Sequence, residues 1–284
     1  MITVKDLSFT YPGSKKPAVD GISFSVGKGE IFGFLGPSGA GKSTTQHIVI
    51  GLLRTYKGSA AVRDVEVRTC TRNLYEHIGV SFELPNLYTK FTALENLKFF
   101  SALYERPCRN PMELLEQVGL KEEAHKRVSD FSKGMSMRLN FCRALLHDPE
   151  MLFLDEPTSG LDPSYARVIK EMILQERDRG KTIFLTTHNM HTADELCDRV
   201  AFLVDGRIAL LDAPRNIRMA YGSSHVRIEY RSEGVLHQQS FPLEGMGRNR
   251  DLLDLLEQEQ VETIHSQEAS LEDVFIQVTG RTLG

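Results

Sequence analysis

The stretch "GPSGAGKST", Gly36–Thr44, decides the reading of this chain. It fits the pattern G-x-x-x-x-G-K-[ST] at every fixed position. The apolar run "EIFGFLG" (Glu30–Gly36) precedes it and the helical run "STTQHIVIGLL" follows, which is the strand–loop–helix context of a phosphate loop. Gly36, Gly39 and Gly41 are expected to let the backbone wrap phosphates that a Cβ would hold off. Around them Pro37, Ser38 and Ala40 complete the loop, and the helix that opens near Thr44 turns its N–H groups toward the anion. Lys42 then neutralises β and γ oxygens, and Ser43 holds Mg²⁺ through its hydroxyl. A glycine-rich turn that binds nothing is the alternative; the complete motif in its proper context argues against it.

Working outward, short apolar runs at Ile78–Phe82, Met151–Glu156, Thr182–Thr187 and Arg199–Gly206 read as buried strands. Helical stretches at Gly41–Leu53, Pro163–Arg179 and Met190–Cys197 alternate with them. The pattern predicts an α/β fold of the P-loop NTPase kind, with a mostly parallel sheet covered by helices on both faces. The opening segments "MITVKDLSFTY" and "AVDGISFSV" alternate polar and apolar residues and predict antiparallel strands flanking that sheet. Residues 87–127 read as mainly helical, inside a helical subdomain of about 87–147. Beyond Asp212, "HVRIEYRSEGVLHQQSF" predicts a hairpin, "RDLLDLLEQEQ" an amphipathic helix and "LEDVFIQVTG" a last short helix. The expected division is a main domain, 1–221, and a small α+β accessory domain, 222–284.

Composition excludes several classes. The chain has 284 residues, is 41% hydrophobic and 25% charged, and carries a formal net charge of -4, ordinary values for a soluble globular protein. No long basic block suggests nucleic-acid binding. Cys70, Cys108, Cys142 and Cys197 are scattered, which argues against a zinc site or a disulfide framework and for a reducing cytoplasm. The start "MITVKDLSFT" lacks a signal-peptide core, and "IVIGLL" (Ile48–Leu53) is too short to cross a bilayer.

"MLFLDEP" puts Asp155 and Glu156 at the C-terminal end of a buried strand, where open α/β sheets bind ligands. Asp155 there can hold Mg²⁺ through water, and Glu156 can orient or deprotonate an attacking water. Two solvated acids at a strand end are the alternative. His188 ends "IFLTTH" and can contact a γ-phosphate. It can also be a surface histidine, or pair with His191 on a metal with Asp194 nearby, although a lone H-x-x-H is weak evidence for metal.

The phosphate loop, "FSKGM" (Phe131–Met135), "LFLDEPTSGLD" and "TTH", in that order, resemble the nucleotide-binding subunits of ATP-binding-cassette (ABC) transporters over about residues 1–210. The resemblance implies ATP as ligand with Mg²⁺, and a second copy of the chain, or a paralogous ATPase subunit, as partner. It implies that Ser132, Gly134 and Met135, with the N-terminus of the helix after Met135, contact in trans the γ-phosphate held by the other subunit. Tyr11 resembles the aromatic that stacks on adenine, and Asp162 the acid that couples the two sites. Glu83 stands where the family usually has a glutamine that touches Mg²⁺. The carboxylate either keeps a proton or binds metal more tightly, and the sequence leaves that choice open. Lys133 and Met135 also depart from the commonest signature, without removing the serine hydroxyl or Gly134.

By the same resemblance the chain is expected to be an export motor, peripheral on the cytoplasmic face of the membrane, docking a separate multi-span permease near Pro85–Tyr104. A soluble ATPase acting on ribosomes or DNA is the alternative. A nucleotide-binding regulator without hydrolysis is disfavoured by Glu156 and His188.

Overall fold

Phe32 and Phe34 lie on the strand that leads into the phosphate loop, and the architecture is organised around their rings. The computed structural model describes residues 1–221, 225–267 and 269–281. Contacts divide the chain into two units, Met1–Asp212 and Ala213–Thr282.

In the first unit the strands are β1 (Ile2–Phe9), β2 (Val19–Val26), β3 (Ile31–Leu35), β4 (Lys57–Val62), β5 (Val65–Glu66), β6 (Ile78–Ser81), β7 (Met151–Asp155), β8 (Thr182–Thr187), β9 (Arg199–Val204) and β10 (Arg207–Asp212). The helices are α1 (Lys42–Val49), α2 (Ala93–Ser101), α3 (Pro111–Gln117), α4 (Lys133–Leu145), α5 (Pro163–Asp178) and α6 (Met190–Leu196). A six-stranded sheet runs β10-β9-β3-β8-β7-β6, parallel throughout except for the β9–β10 hairpin. β3, β7 and β8 are buried along their whole length, as a sheet covered on both faces requires.

The antiparallel strands at the start of the chain form a sheet of their own, β2-β1-β4-β5. It faces the parallel sheet through Phe24, whose ring stacks on Phe32 with centroids 5.5 Å apart and lies 5.0 Å from Phe34. Ile48 and Val49 of α1 close the same core, so the helix behind the phosphate loop is anchored between two sheets. Strands β7 and β8 end side by side, with Asp155 in register with Thr186. That register delivers the acids and Thr186–His188 to one edge of the sheet, beside the loop that follows β3.

The helical segment is fixed at its ends by caps. Thr92 and Glu95 form a reciprocal capping box on α2, and Asn110 caps α3 with Pro111 as the first helical residue. Helix α4 begins at Lys133 with Ser132 as its cap, so Lys133, Gly134 and Met135 occupy its first turn. This corrects the expected start after Met135. The Ser132 hydroxyl accepts from the Met135 N–H at 3.3 Å, which starts the helix earlier.

The second unit contains α7 (Pro214–Tyr221), β11 (His225–Ser232), β12 (Val235–Pro242), α8 (Arg250–Gln258), β13 (Gln260–Gln267) and α9 (Leu271–Thr279). Its sheet, β12-β11-β13, is antiparallel, with the β11–β12 hairpin turning at Glu233 and Gly234 in the left-handed region. Val226, Ile228, Phe241, Leu252 and Leu255 form its core, which is why only one stripe of α8 is buried. The contact boundary lies at 212/213, earlier than the expected 221/222, because α7 packs on α9. Among the described residues, no helix is long and apolar enough to cross a membrane.

Candidate active site

A cleft of about 410 Å³ opens at the C-terminal ends of β3, β7 and β8. Tyr11, Ala18, Ser38, Gly39, Gly41, Lys42, Ser43, Thr44, Glu83, Asp155, Glu156 and His188 line it.

The three loop glycines have different reasons to be glycine. Gly36 has φ +155°, and a Cβ there would sit 2.2 Å from the Leu203 carbonyl oxygen. Gly41 has φ +106°, and its Cβ would sit 2.3 Å from the Ala18 carbonyl oxygen. Both positions are forced by the chain's own backbone. Gly39 has φ +77° with nothing within 4 Å of a Cβ. A Cβ at Gly39 would meet nothing of the chain, whereas Gly36 and Gly41 have an intrachain reason to be glycine beside the expected approach of phosphate. Ala40 is buried behind the loop at 3% exposure.

Lys42 is buried, and its ammonium donates to the carbonyls of Gly36 at 2.7 Å and Pro37 at 3.1 Å. Burial holds it below the usual lysine range, opposed by the nearby carboxylates Glu156, Asp155 and Glu83. Ser43 Oγ lies 3.5 Å from Asp155 Oδ1, a long, weak bond that opens easily. The Tyr11 hydroxyl lies 3.2 Å from Thr44 Oγ1, and its ring packs edge-on against Phe9.

Glu156 sits just beyond β7 with φ +48°, a left-handed conformation uncommon for a non-glycine residue. Its N–H is held by the Thr186 carbonyl at 2.9 Å. Its Oε1 accepts from the His188 N–H at 2.8 Å and lies 2.7 Å from His188 Nδ1, while Oε2 accepts from Thr187 Oγ1 at 2.9 Å. Asp155 accepts from Thr186 Oγ1. Asp155 and Glu156 are both buried, which excludes the reading as solvated acids. His191 is turned to Glu195, with Nε2 at 3.3 Å, rather than to a metal shared with His188.

The oxygens of Ser43, Asp155 and Glu83 are hard donors on one cleft, a set suited to Mg²⁺, which takes one or two carboxylates plus substrate phosphates and water. Glu83 is exposed and reaches the cleft from just beyond β6.

Gly36, Pro37 and Ala40 belong to the loop but not to the cleft lining, and Ser132, Gly134, Met135 and Asp162 lie outside the cleft. Ser132 caps α4, and Met135 donates to it. Asp162 caps α5, its Oδ1 accepting from the N–H groups of Ser164 and Tyr165, both at 3.1 Å. A Cβ on Gly134 would meet Leu161 at 3.5 Å, an ordinary contact, so nothing within this chain demands glycine there. Thr186 and Thr187, by contrast, join the site without having been singled out. The available signal was "TTH", two hydroxyl side chains at the end of a buried strand.

A phosphate cradle with a buried lysine, and a carboxylate pair at the end of β7, define a P-loop ATPase. The family model "ABC transporter" matches residues 19–159, and the model "Fluoroquinolone efflux ABC transporter C-terminal domain" matches residues 224–268. The chain is 56% identical over 284 residues to a fluoroquinolones export ATP-binding protein of Mycobacterium tuberculosis (strain ATCC 25618 / H37Rv), covering 100% of this chain and 94% of that one. It is 37% identical over 303 residues to the Nod factor export ATP-binding protein I of Rhizobium meliloti, covering 97% of this chain and 88% of the relative. A solved dimer of the ATP-binding cassette MJ0796, in a post-hydrolysis state bound to ADP and Pi, superposes with a TM-score of 0.69 at 25% identity. It covers 75% of this chain and 98% of that one.

The chain belongs to the ATP-binding proteins of ABC transporters. It is a transport ATPase, and the ribosome- or DNA-acting alternative finds no support among these relatives.

Proposed function

We propose that this chain powers the export of fluoroquinolone-like compounds through a separate multi-span permease, from the cytoplasmic face of the membrane. Two copies, or this chain and a paralogous subunit, close around two ATP molecules. Tyr11 stacks on adenine. Gly36, Pro37, Ser38, Gly39, Ala40, Gly41 and Thr44 form the phosphate cradle, and Lys42 pairs with the β and γ oxygens. Ser43, Asp155 and Glu83 would hold Mg²⁺, which would offset charge on the phosphates. Glu156 accepts the proton of the attacking water, and His188 orients the γ-phosphate. Water attacks the γ-phosphorus while the bond to the bridging oxygen breaks, and ADP leaves.

The observation that carries the reading is the glycine at 134. The chain's own packing leaves room for a Cβ there, so this helix start has open space for a group that approaches from outside. Ser132, Gly134 and Met135 lie in one helix start, a ready anion site, and supply the partner's γ-phosphate contact. Asp162, one loop away, couples the two sites. The named export function of the 56% identical relative and the match of residues 224–268 support the cargo class and the accessory domain 222–284.

For the permease, the segment Pro85–Tyr104 offers exposed apolar surface. Leu84 just before it is 75% exposed, and Tyr88, Phe91 and Phe99 form an aromatic group with the Tyr88 and Phe99 rings 4.9 Å apart. The Arg143 guanidinium donates to the Asn86 carbonyl at 2.6 Å and ties this surface to α4, and so to the signature turn.

The test is a tagged Glu156→Gln chain recovered from gently solubilised native membranes with ATP and Mg²⁺. The expected result is a co-purifying multi-span protein whose reconstitution with the unsubstituted chain gives ATP-dependent fluoroquinolone transport. Recovery with ribosomes or nucleic acid instead contradicts the export reading. Transport of other compounds with no response to fluoroquinolones contradicts the cargo class alone.

A further inference from the structure

Strand β8 ends in two hydroxyl residues whose side chains leave the strand on opposite faces. Each meets one of the two acids at the end of β7. Thr186 donates to Asp155, and Thr187 donates to Glu156 Oε2 at 2.9 Å. Thr187 is fully buried at 1% exposure, so water does not replace this contact.

The direction of the Thr187 bond follows from its second partner. The Asn189 N–H donates to Thr187 Oγ1 at 3.0 Å. A hydroxyl has one proton, and that N–H already occupies a lone pair, so the proton is left for Glu156. Asn189 in turn caps α6, its side chain accepting from the Thr192 N–H at 2.9 Å. The Glu156 carboxylate is therefore tied through one hydroxyl to a capped helix start. Its other oxygen, Oε1, faces His188, which is half exposed along the cleft.

We propose that Thr187 is a positioning residue for ATP hydrolysis: its hydroxyl on Glu156 Oε2, together with the two His188 contacts on Oε1, holds the carboxylate in one orientation to take the proton of the attacking water. The inference rests on Glu156 being the base. A buried carboxylate oxygen without its donor is free to turn toward other partners in the cleft, and the base must lie within hydrogen-bond reach of the water. Thr186 serves the same purpose for Asp155 on the other face.

The experiment compares Thr187→Ser with Thr187→Ala, two variants that differ by one oxygen, in steady-state ATPase assays of the full chain. The serine variant is expected to keep kcat within about threefold. The alanine variant is expected to lose roughly tenfold in kcat with KM for ATP unchanged, the scale of one hydrogen bond to a charged group. Thr187→Val, which keeps the shape, gives the same loss, separating hydroxyl from packing. Thr187→Cys, a weak donor of similar size, carries the comparison where alanine and valine fail to fold.

The second arm repeats Thr187→Ala in the Glu156→Gln chain. There the residual rate is expected to change by less than about twofold, since coupled residues are not additive. Equal kcat for serine and alanine overturns the inference. So does the same tenfold loss in the glutamine background, or a loss confined to KM. A Glu156→Gln chain that hydrolyses ATP at the unsubstituted rate overturns the base assignment itself, and is read independently of the serine–alanine comparison.

Discussion

Glu156 and His188 are joined twice: the backbone N–H and the ring Nδ1 of His188 both meet Glu156 Oε1, at 2.8 Å and 2.7 Å. With the ring proton on Nδ1, the arrangement satisfies the acid and leaves Nε2 as an acceptor. A phosphate oxygen at Nε2 needs a donor, so nucleotide binding and the proton position on His188 are coupled. His188→Ala is expected to lower kcat about 100-fold with a smaller change in KM, measured by steady-state hydrolysis. A full-rate alanine variant contradicts the role.

Lys42 sets a pH dependence whose sign follows from burial. Its folded-state value lies below the usual 10.5, so the free chain loses this proton before an unfolded chain does. The unfolded state then binds more protons, and ligand-free stability rises with pH through the window between the lowered value and 10.5. ATP requires the charged lysine. Affinity for ATP is therefore expected to fall through the same window, with proton uptake on binding, measured by calorimetry in buffers of different ionisation enthalpy. A profile that stays flat up to pH 10.5 contradicts it.

The glycines of the loop separate fold from ligand. Gly36→Ala meets the Leu203 backbone at 2.2 Å and is expected to lose several kcal/mol of stability, about 3 or more. Gly39→Ala meets nothing and carries only left-handed strain, about 1 kcal/mol, while losing ATP affinity. Thermal unfolding of the ligand-free chains beside ATP titrations checks both. Equal unfolding midpoints for the two variants contradict the distinction.

Glu83→Gln tests the acid that replaces the family's usual amide. As a Mg²⁺ ligand the carboxylate is the stronger donor, so the variant is expected to need roughly three- to tenfold more Mg²⁺ for half-maximal turnover. An unchanged Mg²⁺ dependence removes Glu83 from the metal set.

Much of this site was legible in the sequence because its parts are contiguous. The loop Gly36–Thr44, the pair Asp155–Glu156 and His188 each carry their strand or helix context beside them, and the structure brings them to one cleft. Thr186 and Thr187 were not legible, since a β-branched residue on a buried strand is ordinary and its hydroxyl's partner is set by register across β7 and β8. The intrachain reason for Gly36 and Gly41 was not legible because the Leu203 and Ala18 carbonyls they face are remote in sequence. β4, β5, β10 and β13 carry weak or short alternation and are fixed by pairing rather than by local pattern. The early start of α4 depended on a single cap at Ser132.

The measurement that tests the account most directly is the mass of the Glu156→Gln chain in solution by light scattering, with and without ATP and Mg²⁺, beside the same chain carrying Gly134→Ala. A site shared between two copies gives a monomer without nucleotide and twice the chain mass with it. Gly134→Ala is expected to stay monomeric with ATP although its unfolding midpoint is unchanged or higher, because its Cβ meets Leu161 at 3.5 Å and the Gly160 carbonyl oxygen at 3.6 Å, both ordinary contacts. An ATP-bound Glu156→Gln chain that remains a monomer, or a Gly134→Ala chain that dimerises as well as its parent, contradicts the shared site.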